Sequence, residues 1–153
     1  MTNCKIANVK FRFSLISNLM KNQLEKYITN EQGEINISSE IVDKINVPQL
    51  EAKYHSKYYD VYQDGNDLIQ IQKNENNGFI GAVIYKENSA IILMENGDIG
   101  RKEYLLTEYA CLYFILKHES AILIHSSSIK YKDNGILFIA SSGVGKSTQA
   151  RLW

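Results

Sequence analysis

Residues 140–147, Ala-Ser-Ser-Gly-Val-Gly-Lys-Ser, stand between an apolar run, Gly135-Ile-Leu-Phe-Ile-Ala140, and a stretch free of Gly and Pro, Ser147-Thr-Gln-Ala-Arg-Leu-Trp153. That order predicts a short buried strand, a glycine loop and the opening of a helix. The loop has the pattern [AG]-x-x-x-x-G-K-[ST], in which every fixed position has a physical job. Gly143 and Gly145 let successive backbone N–H groups turn toward one anion, where a Cβ would obstruct them. Lys146 brings a mobile positive charge to the β- and γ-phosphates, and the Ser147 hydroxyl is the expected protein ligand for Mg²⁺. Thr148 adds an early helical amide, and a helix beginning around Gly145 turns its partial positive end to the phosphates. The expected phosphate-binding set is therefore Ser142, Gly143, Val144, Gly145, Lys146, Ser147 and Thr148. Ala140 stands where the stricter pattern has Gly, which a negative φ at the strand end tolerates. The competing reading is a Gly/Ser-rich surface loop with no ligand.

Composition confines that attraction to the loop. Lys plus Arg equal Asp plus Glu, 17 each among 153 residues, so no global field favours nucleic acid or an anionic membrane. No run approaches the roughly 20 apolar residues of a membrane span, and the start, Met1-Thr-Asn-Cys-Lys-Ile, lacks the apolar core of a secretion signal. A cytoplasmic location is the resulting expectation. Cys4 and Cys111 are far apart in sequence and the histidines are scattered, so neither a disulfide nor a zinc site is expected. Cys111 reads as a small buried hydrophobe.

The rest of the chain divides by periodicity. Lys5 to Ile16 alternates enough for one strand, and Asn18 caps a helix reaching Tyr27. Gly33 to Ser38 predicts a second strand, and Ser39, Val42 and Ile45 a short helix ending before Pro48. Tyr58–Tyr62, Leu68–Lys73, Phe79–Lys86 and Ala90–Met94, separated by turn clusters that include Asn74–Gly78, predict an antiparallel meander. Its tyrosines, Tyr58, Tyr59 and Tyr62 among them, read as packing units rather than a ligand groove. Glu103 to His118 predicts a mostly buried helix with Leu105, Tyr109, Leu112 and Leu116 on one face, broadened by Leu106, Ala110, Tyr113 and Phe114. Ala121 to Lys130 is another extended segment. The expected fold is mixed α+β or α/β: a β-rich region over 1–102 with an antiparallel meander, then a helix, two strands and the glycine loop over 103–153, a truncated strand-loop-helix unit.

Leu123-Ile-His125-Ser-Ser-Ser-Ile129, a short turn, then Ile136-Leu-Phe-Ile-Ala-Ser-Ser-Gly-Val-Gly-Lys-Ser-Thr-Gln-Ala-Arg-Leu-Trp153 resembles the HPr kinase and phosphoenolpyruvate carboxykinase-like superfamily. It is most similar to a bacterial HPr kinase-like branch with G-K-S-T-x-x-R-L-W after its phosphate loop. The resemblance implies ATP, Mg²⁺ and phosphoryl transfer, often to a serine hydroxyl of a protein or peptide. Lys146 and His125 are the catalytic candidates it implies, His125 aligning with a histidine near the family's active centre. Thr148 replaces the Glu usual in the true HPr kinases, which puts HPr itself in doubt as acceptor. The family's acidic catalytic residues lie beyond its phosphate loop. The expectation is thus a truncated chain, inactive alone and self-associating through an incomplete sheet. The rival expectations are a non-catalytic nucleotide- or peptide-binding regulatory module, and a fragment of an ABC- or GTPase-type hydrolase.

Overall fold

A computed structural model of the chain describes residues 1–74, 78–119 and 121–153. They form a mixed α+β fold that divides into two compact units, Met1–Glu119 and Ser120–Trp153. The division falls after the long helix, not before it at 102/103 as expected, because that helix supplies one side of the first unit's core.

The first unit is an eight-stranded, mostly antiparallel sheet. Its strands are β1 (Thr2–Ile6), β2 (Val9–Ser14), β3 (Ile35–Val42), β4 (Tyr54–His55), β5 (Tyr59–Asp64), β6 (Asp67–Lys73), β7 (Phe79–Tyr85) and β8 (Ser89–Glu95), in the order β1-β2-β3-β8-β7-β6-β5-β4. The β5 to β8 meander follows the expected segments closely, with Gly65 at φ 58 turning β5 into β6. The central part of the expected turn Asn74–Gly78 lies outside the described residues. At its ends, Gly78 N–H donates to Asn74 Oδ1 at 2.9 Å.

Three expectations in the first 50 residues are corrected. Lys5 to Ile16 is not one strand: β1 and β2 form a hairpin around Ala7 and Asn8, whose φ values are 47 and 68. A two-residue turn with both φ positive matches strand twist, and here it forms without glycine. The expected helix over Ser39 to Ile45 is absent because β3 runs on to Val42, held parallel to β2 on one side and to β8 on the other. Ser17, not Asn18, caps helix α1 (Asn18–Leu24), accepting from Met20 N–H at 3.4 Å, and a 3-10 turn over Glu25–Tyr27 completes the expected length.

Helix α2 (Ile99–His118) begins at an Asp98 cap and crosses one face of the sheet. Its buried stripe is Glu103, Leu106, Thr107, Ala110, Cys111 and Phe114, whereas the expected leading face, Leu105, Tyr109, Leu112 and Leu116, is only half-buried or exposed. The stripe packs with Phe11, Phe13, Ile35, Ile37, Val83, Tyr85, Ile92 and Met94, alternate residues of β2, β3, β7 and β8. At Gly81 the helix comes so near that a Cβ would lie 2.3 Å from Leu106 Cδ1 and 2.8 Å from Leu93 O. The opposite face carries a smaller cluster, Ile45, Tyr62, Ile71 and Ala82, under the segment that contains Pro48. Tyr62 is buried there as a packing unit. Cys111 is buried as expected, and burial pushes its thiol up to about 12, which removes it as a nucleophile.

Glu103 is fully buried among these apolar side chains. Its carboxylate accepts Ile16 N–H and Ser17 N–H at 2.8 Å each, and the Ser17 and Ser39 hydroxyls as well. A second polar contact closes the far side of the sheet, where Lys73 Nζ lies 2.8 Å and His55 Nδ1 2.6 Å from Asp60 Oδ1. Burial alone would push the Asp60 carboxyl up, but Lys73 and then His55 outweigh it and hold the pKa below the ordinary Asp value.

Two tests follow from these contacts. Replacing Glu103 with Ala removes the shared acceptor of two backbone donors and two hydroxyls, with only Ile16 N–H keeping a second partner in Ser39 Oγ, so stability to urea should fall by about 3 kcal/mol, well beyond a surface substitution. For Asp60, a depressed folded pKa means stability that is present above about pH 4 and lost as pH falls through the folded value. Lys73→Met should therefore cost about 1–3 kcal/mol at neutral pH, and the gap from wild type should close below about pH 4 in urea melts across pH.

Candidate functional site

The second unit is a hairpin with one short helix. Strands β9 (Ser126–Tyr131) and β10 (Asn134–Ile139) pair antiparallel, with Lys132 at φ 53 in the turn, and α3 (Lys146–Leu152) follows the loop. Directly paired residues share a face, so Ser127 with Phe138 and Ile129 with Ile136 lie together. Helix α3 covers that face: Ser127 Oγ is 3.3 Å from Ser147 Oγ near the start of the helix, and the Tyr131 and Trp153 rings meet at 6.3 Å, near-perpendicular, at its end. Ile136 and Phe138 are half-buried beneath it, while Leu137 and Ile139 on the other face are exposed. The strand leading into the loop is consequently covered on one side only, which corrects the expectation of a fully buried strand. Ala121–His125 has no regular pairing, so the expected strand over 121–130 is shortened to β9.

Residues 140–145 are neither extended nor helical. Gly143 and Gly145 sit at φ 84 and 87, separated by one residue, and Ala140 is not among the residues of positive φ. A Cβ on either glycine would meet no atom within 4 Å, so the demand for glycine comes from the backbone angle and not from crowding by the protein itself. Gly145 in the left-handed region starts α3, and Gln149 N–H donates to its carbonyl at 2.9 Å. Lys146 turns back over the loop, its ammonium donating to Ala140 O at 2.9 Å and Ser141 O at 3.0 Å.

These turns enclose a cleft of about 340 Å³ lined by His125, Ser126, Ser127, Ser142, Gly143, Gly145, Lys146, Ser147 and Thr148. The structure thus brings His125, 15 residues upstream of the loop's first residue, to the same hollow as the loop. Val144 is the exception in the expected set: it does not line the cleft and is 61% exposed. Ser126 and Ser127 line it although the motif does not point to them; the period-2 pattern Ser127, Ile129, Tyr131 was the available signal, since it marks one strand face.

The donor set suits a phosphate chain carrying its own cation. One ammonium, several hydroxyls and two left-handed glycines surround the space, and no carboxylate lines it. Serine oxygen is a hard ligand of the kind Mg²⁺ accepts, and Mg²⁺ commonly keeps water and substrate phosphates as its remaining ligands. Among the described residues no three His, Cys, Asp or Glu side chains gather as a metal site. A hollow of about 450 Å³ in the first unit, lined by Asn8, Lys10, Glu34, Asn88, His118 and Glu119 among others, is less suited to an anion. Its Lys10 is already bridged to Glu31 at 3.0 Å and Glu34 at 3.4 Å.

No family model matches the chain, and no curated protein or solved structure is significantly similar to it. Among the described residues no helix is long and apolar enough to cross a membrane.

Gly145→Ala isolates the backbone requirement. A non-glycine residue held in the left-handed region costs about 1–2 kcal/mol, with no side-chain clash to add. Amide exchange should quicken across 146–152 while the thermal transition of Met1–Glu119 stays put.

Proposed function

We propose that the loop from Ala140 to Thr148 holds the phosphates of Mg²⁺-bound ATP, and that the chain belongs to an HPr kinase-like phosphotransferase acting on a serine hydroxyl of a protein or peptide. The observation that carries the nucleotide reading is the convergence of Lys146, Ser147 and two left-handed glycines on one cleft. Phosphate oxygens are better partners for the Lys146 ammonium than the Ala140 and Ser141 carbonyls, because both members of the new bond are charged. The kinase part rests on the resemblance of residues 123–153, with His125 beside the cleft in keeping with a role at the transferring phosphate. A cytoplasmic site of action belongs to the same reading.

One observation favours the second reading, a module that binds nucleotide without turnover. Phosphoryl transfer needs a group to accept or orient the nucleophile's proton, commonly a carboxylate, and the cleft lining contains none. His125 is the side chain there able to take a proton.

Calorimetric titration of ATP with Mg²⁺ into wild type and Lys146→Ala tests the binding claim. The variant should bind roughly 10–100-fold more weakly, the worth of hydrogen bonds to a charged group, with unchanged circular dichroism. Equal affinity in the two would remove the phosphate assignment. A parallel phosphotransfer assay on serine peptides bears on the kinase reading: product from the chain would decide for it against the module, whereas binding without product fits both the module and a kinase portion inactive alone.

A further inference from the structure

Ser127 places a second hydroxyl against the one assigned to the cation. It is half-buried on the β9 face under α3, and its Oγ lies 3.3 Å from Ser147 Oγ. We propose that Ser127 is a positioning residue for the metal contact of Ser147: it accepts the Ser147 proton and thereby aims a Ser147 lone pair into the cleft. The inference rests on the phosphate-loop reading and goes beyond it by assigning a residue outside the motif.

A serine hydroxyl has one proton and two lone pairs. To ligate a cation it must present a lone pair, and its O–H must point elsewhere, since a proton directed at the cation is repelled. A serine in a helix's first turn has no fixed answer to this, because its hydroxyl rotates. Ser127 Oγ supplies the acceptor. Without a cation either oxygen of the pair can donate; with one, the arrangement in which Ser147 donates to Ser127 holds the Ser147 proton on a protein acceptor and away from the cation, whereas the reverse leaves that proton to solvent. Outer groups of this kind orient metal ligands and tune affinity in many sites.

The contact is exposed, but its two ends are set by the backbone. Ser127 belongs to a paired strand position opposite Phe138, and the Tyr131–Trp153 ring contact ties the other end of the same strand to the other end of the same helix. The Ser127 to Ser147 alignment is therefore built into how α3 lies along β9.

The test is calorimetric titration of ATP, with and without Mg²⁺, into the 153-residue chain as wild type, Ser127→Ala and Ser127→Thr. Wild type should bind ATP more tightly with Mg²⁺. Ser127→Ala should lose about 10-fold in the Mg²⁺-dependent gain while its Mg²⁺-free affinity is unchanged, and Ser127→Thr, which keeps the hydroxyl, should restore the gain. An alanine variant with the full Mg²⁺ gain would overturn the proposal, as would one that weakens both conditions equally, the mark of a merely structural role. Wild type that binds ATP without any Mg²⁺ gain overturns this inference alone. Wild type that binds no ATP in either condition overturns the phosphate-loop reading and this inference with it.

Discussion

The buried carboxylate of Glu103 is the contact on which the larger unit turns. It enters the core, a placement that costs several kcal/mol unless its oxygens are met by donors. Those donors come from separate parts of the chain: the backbone and hydroxyl at the β2–α1 junction, through Ile16 and Ser17, and Ser39 in the middle of β3. Ser17 is also the cap of α1, so one carboxylate sets where α1 begins, where α2 lies and which stretch of β3 passes beneath them. The apolar stripe of α2 supplies the driving force, but Leu106, Ala110 and Phe114 alone would tolerate sliding by a turn. A buried carboxyl group held by four donors does not.

That division of labour explains which parts of the fold were legible in the sequence. The meander from Tyr59 to Glu95 was readable because each strand is bounded by residues whose turn chemistry is local, Asp64-Gly65-Asn66 being the clearest. The β1–β2 hairpin was not, since Ala7 and Asn8 adopt positive φ without the glycine that announces such a turn. Ser39 to Ile45 looked helical because its apolar spacing ignores that Ser39 is needed as a buried donor to Glu103 and that both edges of β3 are paired in parallel. The choice between stripes on α2 failed for a related reason: a glutamate and a threonine on the inner face read as solvent-facing when the donors that meet Glu103, many residues away in sequence, are unknown.

The cleft was legible almost residue by residue, and the reason is that its requirements are local. Positive φ at Gly143 and Gly145, a lysine immediately after, and a hydroxyl at the next position are properties of consecutive residues. What escaped was the contribution of β9, because Ser126 and Ser127 reach the cleft only once the hairpin has paired and α3 has settled along one face. The Val144 side chain, although inside the motif, does not line the hollow.

The state of Lys146 bears on how such a cleft selects its ligand. Its ammonium is satisfied by the Ala140 and Ser141 carbonyls, so a ligand must offer more than a pair of neutral oxygens to draw it away. A phosphate chain does, through charge; a neutral polar molecule does not. Under the proposed phosphate reading, a chain with 17 cationic and 17 anionic side chains has no net field to supply selection, which would then come from this exchange. The intramolecular bonds thus weaken any ligand that must displace them, and the ammonium favours only a ligand whose bonds to it exceed those two.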